Sequence, residues 1–267
     1  MSYRHRTLAI AVTVATVFST LISALFGSGL LGATVEESSR GIFGSESTLI
    51  VPASKAFSIW GLIFTGFIVY TIWMWVNKTA KRYDDLAILA AVSIALNGVW
   101  LIVVQLKFTW ISVPVIVAIW ISLWLLRRRL TAIRRDYGTK NNWLDVLAVD
   151  LVFGIYLGWI TVATAANISA ALAASGVEPT NFISYLVTIV MLVMVLAVGV
   201  FFVISHHSIA PALTMVWAFV WIAVERFTGD PYSLLIGLLA LLSAAAALLV
   251  SAVHLLPGQF VSRITRG

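Results

Sequence analysis

The chain alternates long apolar runs with short polar breaks. The runs fall at about 7–31, 56–76, 86–106, 108–126, 144–173, 182–204, 209–226 and 232–255. Each is close to the roughly 20 residues that a helix needs to cross the apolar part of a bilayer. The pattern predicts an all-α integral membrane protein with eight transmembrane helices. The fifth run is longer than a crossing requires, which predicts tilt or extension into the interface. Most connections are short, so neighbouring helices are expected to pack antiparallel. The longest lie at about 32–55, with Glu36, Glu37, Glu46 and Pro52, and at about 127–143, which is basic.

Composition supports this class. The chain is 61% hydrophobic and only 10% charged, too little charge to cover a soluble surface. It has no cysteine, which excludes disulfides, thiol nucleophiles and thiolate metal sites. The net charge of +6 sits mostly in the connections. With the N-terminus inside, thirteen of the 17 Lys and Arg fall on the inner side, leaving Arg40, Lys55, Lys107 and Arg226 outside. Lys and Arg favour the cytoplasmic side, so both termini are expected to be cytoplasmic, in a bacterial plasma membrane. The basic residues then report topology, and nucleic acid is not expected as a partner. The first run is too long for a signal-peptide core, so it is expected to stay as a helix.

Polar and aromatic groups inside the runs are the candidate chemistry. Asn97 and Trp100 are three apart and share a helix face. Trp159, Ala163 and Asn167 step by four along another helix, with Tyr156 beside them. Pro52, Phe57 and Trp60 mark the outer end of the second run. An amide or indole N–H in hydrocarbon needs a partner or a cavity. These faces therefore read either as helix–helix hydrogen bonds or as the walls of a pocket. Trp73, Trp75, Trp110 and Trp143 read as interface anchors. Small residues in the third run (Ala90, Ala91, Ser93, Ala95, Gly98) and the eighth (Ser243 to Ala247) permit close helix contact, internally or in a homodimer.

The ordered set Pro-x(4)-Phe-x-x-Trp (Pro52, Phe57, Trp60), Asn-x-x-Trp (Asn97, Trp100) and Tyr-Leu-x-Trp (Tyr156, Leu157, Trp159) with Ala163 and Asn167 resembles the TspO/MBR family. That family includes the tryptophan-rich sensory proteins and the mitochondrial translocator protein. The resemblance covers roughly residues 7–173. It implies a five-helix bundle over 1–177, to which 178–267 adds three transmembrane helices and a cytoplasmic tail. It also implies a pocket for a porphyrin, haem or another flat hydrophobic molecule. The carried-over ligand-binding residues are Trp60, Asn97, Trp100, Tyr156, Trp159, Ala163 and Asn167, under a lid at Pro52 and Phe57. The chain departs from the family pattern at Phe64, often Tyr, at Ile155, often Pro, and in its three further spans.

The expected function is a binding or sensory membrane protein for such a ligand, its partners being the bilayer and the hydrophobic molecule. One alternative is a secondary transporter or exporter, with Asp150 and Glu225 as polar relays. Others are a porphyrin-degrading or isoprenoid enzyme, or a helper subunit docking through the C-terminal spans. Glu225 and Arg226 read as solvated or locally paired at the outer interface, and Asp150 as headgroup-near or paired with an inner Arg. No metal site is expected, because His206 and His207 are adjacent, point apart on a helix and have no evident third ligand. No catalytic residue is assigned.

Overall fold

A computed structural model describes residues 2–27, 41–77, 80–137 and 143–255. The predicted end of the first run (28–31), Glu36 and Glu37, and the tail from 256 lie outside the described residues. Among the described residues, eight helices are long and apolar enough to cross a membrane. They are α1 (Tyr3–Ile22), α2 (Ile59–Val76), α3 (Asp84–Gln105), α4 (Thr109–Tyr137), α5 (Trp143–Ala174), α6 (Phe182–His206), α7 (Ala210–Thr228) and α8 (Leu234–Leu255). The chain is an all-helical multi-pass membrane protein in contact with lipid.

The predicted runs match these helices, with one extension. The 127–143 segment, read as a basic loop, is helical through Tyr137. Its Arg, Leu and Ala residues are good helix formers. The extension is also anchored, since Leu126 and Leu130 are fully buried and Arg127 is paired. Local chemistry sets other ends. Ser2 caps α1 by accepting from the His5 N–H at 3.3 Å, and Asn181 caps α6 by accepting from Ile183 at 3.1 Å. Asp84 and Asp85 open α3, where carboxylates oppose the positive end of the helix dipole.

Helices α1, α2, α5, α4 and α3 pack in that order into a closed ring. The C-terminal helices attach along α5, chiefly through α7, and α8 closes against α6 and α7. Helix α5 is the most buried span because it touches both groups. Glycines permit the α5–α7 approach. A Cβ at Gly154 would lie 2.7 Å from Ala210 Cβ, and one at Gly158 would lie 2.4 Å from the Pro211 carbonyl oxygen. The small-residue faces of α3 and α8 are internal packing: Ala90, Ser93, Ala244 and Ala247 are buried, and Gly98 faces Phe18.

A polar layer closes the end of the bundle that holds the N-terminus. His5 pairs with Asp84 through Nδ1, and its Nε2 lies 3.0 Å from the Met74 carbonyl oxygen. Buried Asp145 accepts from Trp73 Nε1, Asn77 Nδ2 and Tyr83 Oη, each at 3.2 Å. Trp73 is thus not a lipid-facing anchor, since it is buried against this carboxylate. Trp75, Trp110 and Trp143 are exposed, as an anchoring role requires. Asp150 lies in a wider π-type turn, Val146–Leu151, and pairs with Arg127 at 3.0 Å and with Arg134.

Candidate functional site

At the opposite end of the bundle, a cavity forms between α2, α3, α5 and the segment preceding α2. Its walls are Phe57 from the turn before α2, Trp60 from the start of α2, Trp100 from α3, and Trp159, Val162, Ala163, Ala166 and Asn167 from α5. Phe43, Val51 and Pro52 cover it. About 40 Å³ is open to a water-sized sphere. One water needs roughly 10–15 Å³ by the same measure. The closed cavity thus has room for a few waters and not for a large ring.

The rings are locked edge to face. Phe57 meets Trp159 with centroids 5.6 Å apart, Trp60 meets Trp159 at 6.1 Å, and Phe43 meets Trp100 at 6.2 Å. Such pairs are worth about 0.5–1.5 kcal/mol beyond the area they bury. Trp60 also touches Tyr156 at 6.5 Å, and Tyr156 touches Phe67 at 4.9 Å. The aromatic wall therefore continues behind the cavity into the core.

Five of the seven predicted binding residues border this one space: Trp60, Trp100, Trp159, Ala163 and Asn167. So do the predicted lid residues Pro52 and Phe57. Two do not. Tyr156 is fully buried behind Trp60, and its hydroxyl donates to the Ser93 carbonyl at 3.0 Å. Asn97 is fully buried and is not part of the wall. It lies one helical turn from Trp100, toward the centre of the bundle. Neither Asn97 amide atom has a hydrogen-bond partner among the described residues.

The amide of Asn167 is committed to the protein. Its Oδ1 accepts from Trp100 Nε1 at 2.8 Å, and its Nδ2 donates to Ser112 Oγ at 2.8 Å. Ser112 in turn donates to the Thr109 carbonyl at 2.6 Å. The bond joins α3 to α5 and fixes the Trp100 ring. Trp159 is the opposite case. Its indole N–H is buried at the cavity wall with no acceptor among the described residues. A buried donor left unpaired costs about 1–3 kcal/mol.

Sequence reading missed several participants. Phe43, Val51, Val162 and Ala166 are ordinary apolar residues, and only tertiary contact marks them. Ser112 could have been found as one of three hydroxyls in an apolar span, with Thr109 and Ser122. Arg226 carried a stronger signal, a cation near the end of a hydrophobic run, and its expected setting needs correction. Its side chain is fully buried rather than solvated at the interface. The guanidinium donates to the carbonyls of Ser45 (2.9 Å), Pro231 (2.8 Å) and Asp230 (3.3 Å), with the Glu225 carboxylate at 3.8 Å. Backbone oxygens thus replace the water lost by its two Nη groups, while Nε has no partner among the described residues. No group of three or more metal-ligating side chains occurs among the described residues. His207, at the end of α6, does meet His254 of α8, Nδ1 to Nε2 at 2.8 Å.

The ring of five helices, the tryptophan-walled cavity and its covering segment define a polytopic helical membrane protein with an aromatic site. A family model described as "TSPO-like protein" matches residues 7–253, and the chain belongs to that family. The match runs through the three C-terminal helices as well as the ring. No curated protein and no solved structure matches the chain.

Proposed function

We propose that this TspO-family membrane protein binds a flat, hydrophobic ring molecule of the porphyrin class in the cavity between α2, α3 and α5. The observation that carries the reading is the convergence of Trp60, Trp100 and Trp159 on one covered space. The unpaired Trp159 N–H at its wall supports it, as a donor that a ligand acceptor would satisfy.

The wall chemistry narrows the class. No residue of the wall carries an imidazole, thiol or thioether. Haem iron is ordinarily held by such groups, so a metal-free macrocycle fits better than haem. No wall residue is charged either, so the inserted part of the ligand is uncharged and its binding comes from apolar burial and ring contact. Exposed Lys55, two residues before Phe57, stands ready for a carboxylate left at the rim. A macrocycle exceeds the closed volume, so binding requires Phe57, Trp60 or the covering segment to move.

The separation of Asp150 and Glu225 favours binding over a transport relay through these two carboxylates. Asp150 is held by two arginines. Glu225 stands at the other end of α7, 15 residues beyond Ala210, which packs on Gly154 near Asp150. That is about 22 Å of helix.

Titration of the detergent-solubilised protein with protoporphyrin tests the reading. Saturable quenching of tryptophan emission and a Soret shift above detergent blanks are expected. A response identical to empty micelles would remove the porphyrin class.

A further inference from the structure

The C-terminal helices reach the cavity through its cover. We propose that α7 is a clamp that holds the segment Ser45–Ala56 closed over the cavity, with Trp217, Trp221 and Arg226 as its positioning residues. Three hydrogen bonds tie this segment to α7. Arg226 Nη2 donates to the Ser45 carbonyl at 2.9 Å. Trp217 Nε1 donates to the Ala56 carbonyl at 3.1 Å. The Ala53 N–H donates to the Trp221 carbonyl at 3.2 Å. They bracket Val51 and Pro52, which sit on the cavity.

The spacing along α7 matches the task. Trp217 and Trp221 are one turn apart, with rings 5.5 Å apart edge to face, and Arg226 follows about one turn later. All three bonds engage main-chain groups of the segment, so they fix its path rather than the identity of its side chains. Burying a guanidinium is expensive unless its donors are satisfied. Here the Nη donors are satisfied by Ser45 on one side and the α7–α8 turn, Asp230 and Pro231, on the other, while Nε has no partner among the described residues. Arg226 thereby joins the cover to the connection between two C-terminal helices.

The frame behind the clamp is stiff. Gly154 and Gly158 seat α7 directly on α5, the helix that carries Trp159, Ala163 and Asn167. The cavity wall and the clamp therefore belong to one packed unit, with the buried cover held between them. This adds a task for the C-terminal helices to the binding proposed above. Its consequence for a ligand rests on that reading: a weaker clamp speeds both entry and exit.

The chain has no cysteine, so a single reporter is clean. Val51 is 2% exposed and becomes the probe position as Val51→Cys. Its rate of reaction with N-ethylmaleimide in detergent reports opening without any ligand. Slow labelling is expected in the otherwise unchanged chain. Arg226→Met should accelerate it at least tenfold and Trp217→Phe about threefold, with circular dichroism unchanged. Trp217→Phe keeps a ring against Trp221 and decides the matter if Arg226→Met does not fold. Equal labelling rates with and without a foldable clamp substitution would overturn the clamp. Stopped-flow mixing with protoporphyrin then separates the two proposals. Arg226→Met or Trp217→Phe should raise the association and dissociation rate constants together, whereas general destabilisation would not speed association. Faster labelling in a protein that binds no porphyrin would leave the clamp standing and remove the proposed ligand.

Discussion

The two ends of the bundle solve the problem of polar groups in an apolar medium in opposite ways. At the end with the N-terminus, each buried carboxylate has a partner: Asp84 has His5, Asp150 has Arg127 and Arg134, and Asp145 has Trp73, Asn77 and Tyr83. At the other end, the indole of Trp159 is unpaired at the wall of a cavity, and the amide of Asn97 is unpaired in the core beneath it. These pairs stitch helices together, although Tyr70 Oη, Arg127 Nε and Arg134 Nε beside them have no partner among the described residues. Unpaired donors beside open space carry a standing energetic debt that a ligand can discharge. Thus one end reads as a structural lock and the other as a binding site.

The largest expected effect comes from breaking the lock. Asp150→Ala strips two arginines of their shared carboxylate, and Arg127 is itself buried. Removing one partner of a buried pair costs about 3–5 kcal/mol. Thermal unfolding in detergent should show a large drop in Tm, while the protein that remains folded keeps its porphyrin affinity. A loss of affinity in the folded fraction would show that the two ends are coupled and would break the contrast.

The next effect sits at the opposite end. Trp159→Ala removes two ring contacts and the unpaired donor from the cavity wall. Affinity should fall about tenfold, equivalent to about 1.4 kcal/mol. Trp75→Ala is the control, because Trp75 is 42% exposed and bonds Thr13 far from the cavity. It should change affinity less than about twofold, the margin left for a site outside the contact network. Equal losses in titration would mean that no pocket has been touched.

How much of this was legible in the sequence follows from what each feature depends on. The helices were legible because a crossing needs a continuous apolar run, and α1 to α8 follow those runs. Only the reach of α4 was missed, since a run of arginines reads as solvent-exposed until Asp150 is seen to pair with Arg127 and Arg134. The site was legible in part. Spacing by three and four placed Trp159, Ala163 and Asn167 on one face, and it also placed Asn97 with Trp100. It could not say which side chain of a face reaches the cavity. Tyr156 turned its hydroxyl to a backbone carbonyl and Asn167 turned its amide to Trp100. The task of Arg226 was illegible because its acceptors are main-chain oxygens, one of them 181 residues away.

Asn97→Leu sharpens the comparison in a way that a loss-of-function variant does not. The amide is fully buried and unpaired. Removing an unsatisfied buried polar group in favour of an apolar one returns about 1–3 kcal/mol, less whatever strain the new shape introduces. The variant should unfold at a higher temperature than the parent. If a macrocycle presses past Trp100 toward this amide, affinity should also fall a few-fold, so stability and binding would move in opposite directions. A stability decrease would show that Asn97 is held by interactions like those of the opposite end.

The smallest effect tests the lock by pH. Tyr83 stands just before α3, and its hydroxyl donates to Asp145. Burial, followed by the neighbouring carboxylate, raises its pKa above the ordinary 10.0. A raised folded pKa means that the neutral hydroxyl is favoured by folding. Its contribution is complete below the unfolded value and is lost as pH rises through the folded one. Stability should therefore be insensitive to Tyr83 ionisation at neutral pH and should decline above about pH 10, the unfolded tyrosine value. Tyr83→Phe removes one donor to Asp145, which keeps at least Trp73 and Asn77. Its cost near neutrality should be about 1 kcal/mol. Chemical denaturation of both proteins at neutral and alkaline pH should give curves that differ by that amount at pH 7 and converge at alkaline pH. A difference that stays constant across that range would mean that ionisation of the Tyr83 hydroxyl does not weaken the fold there.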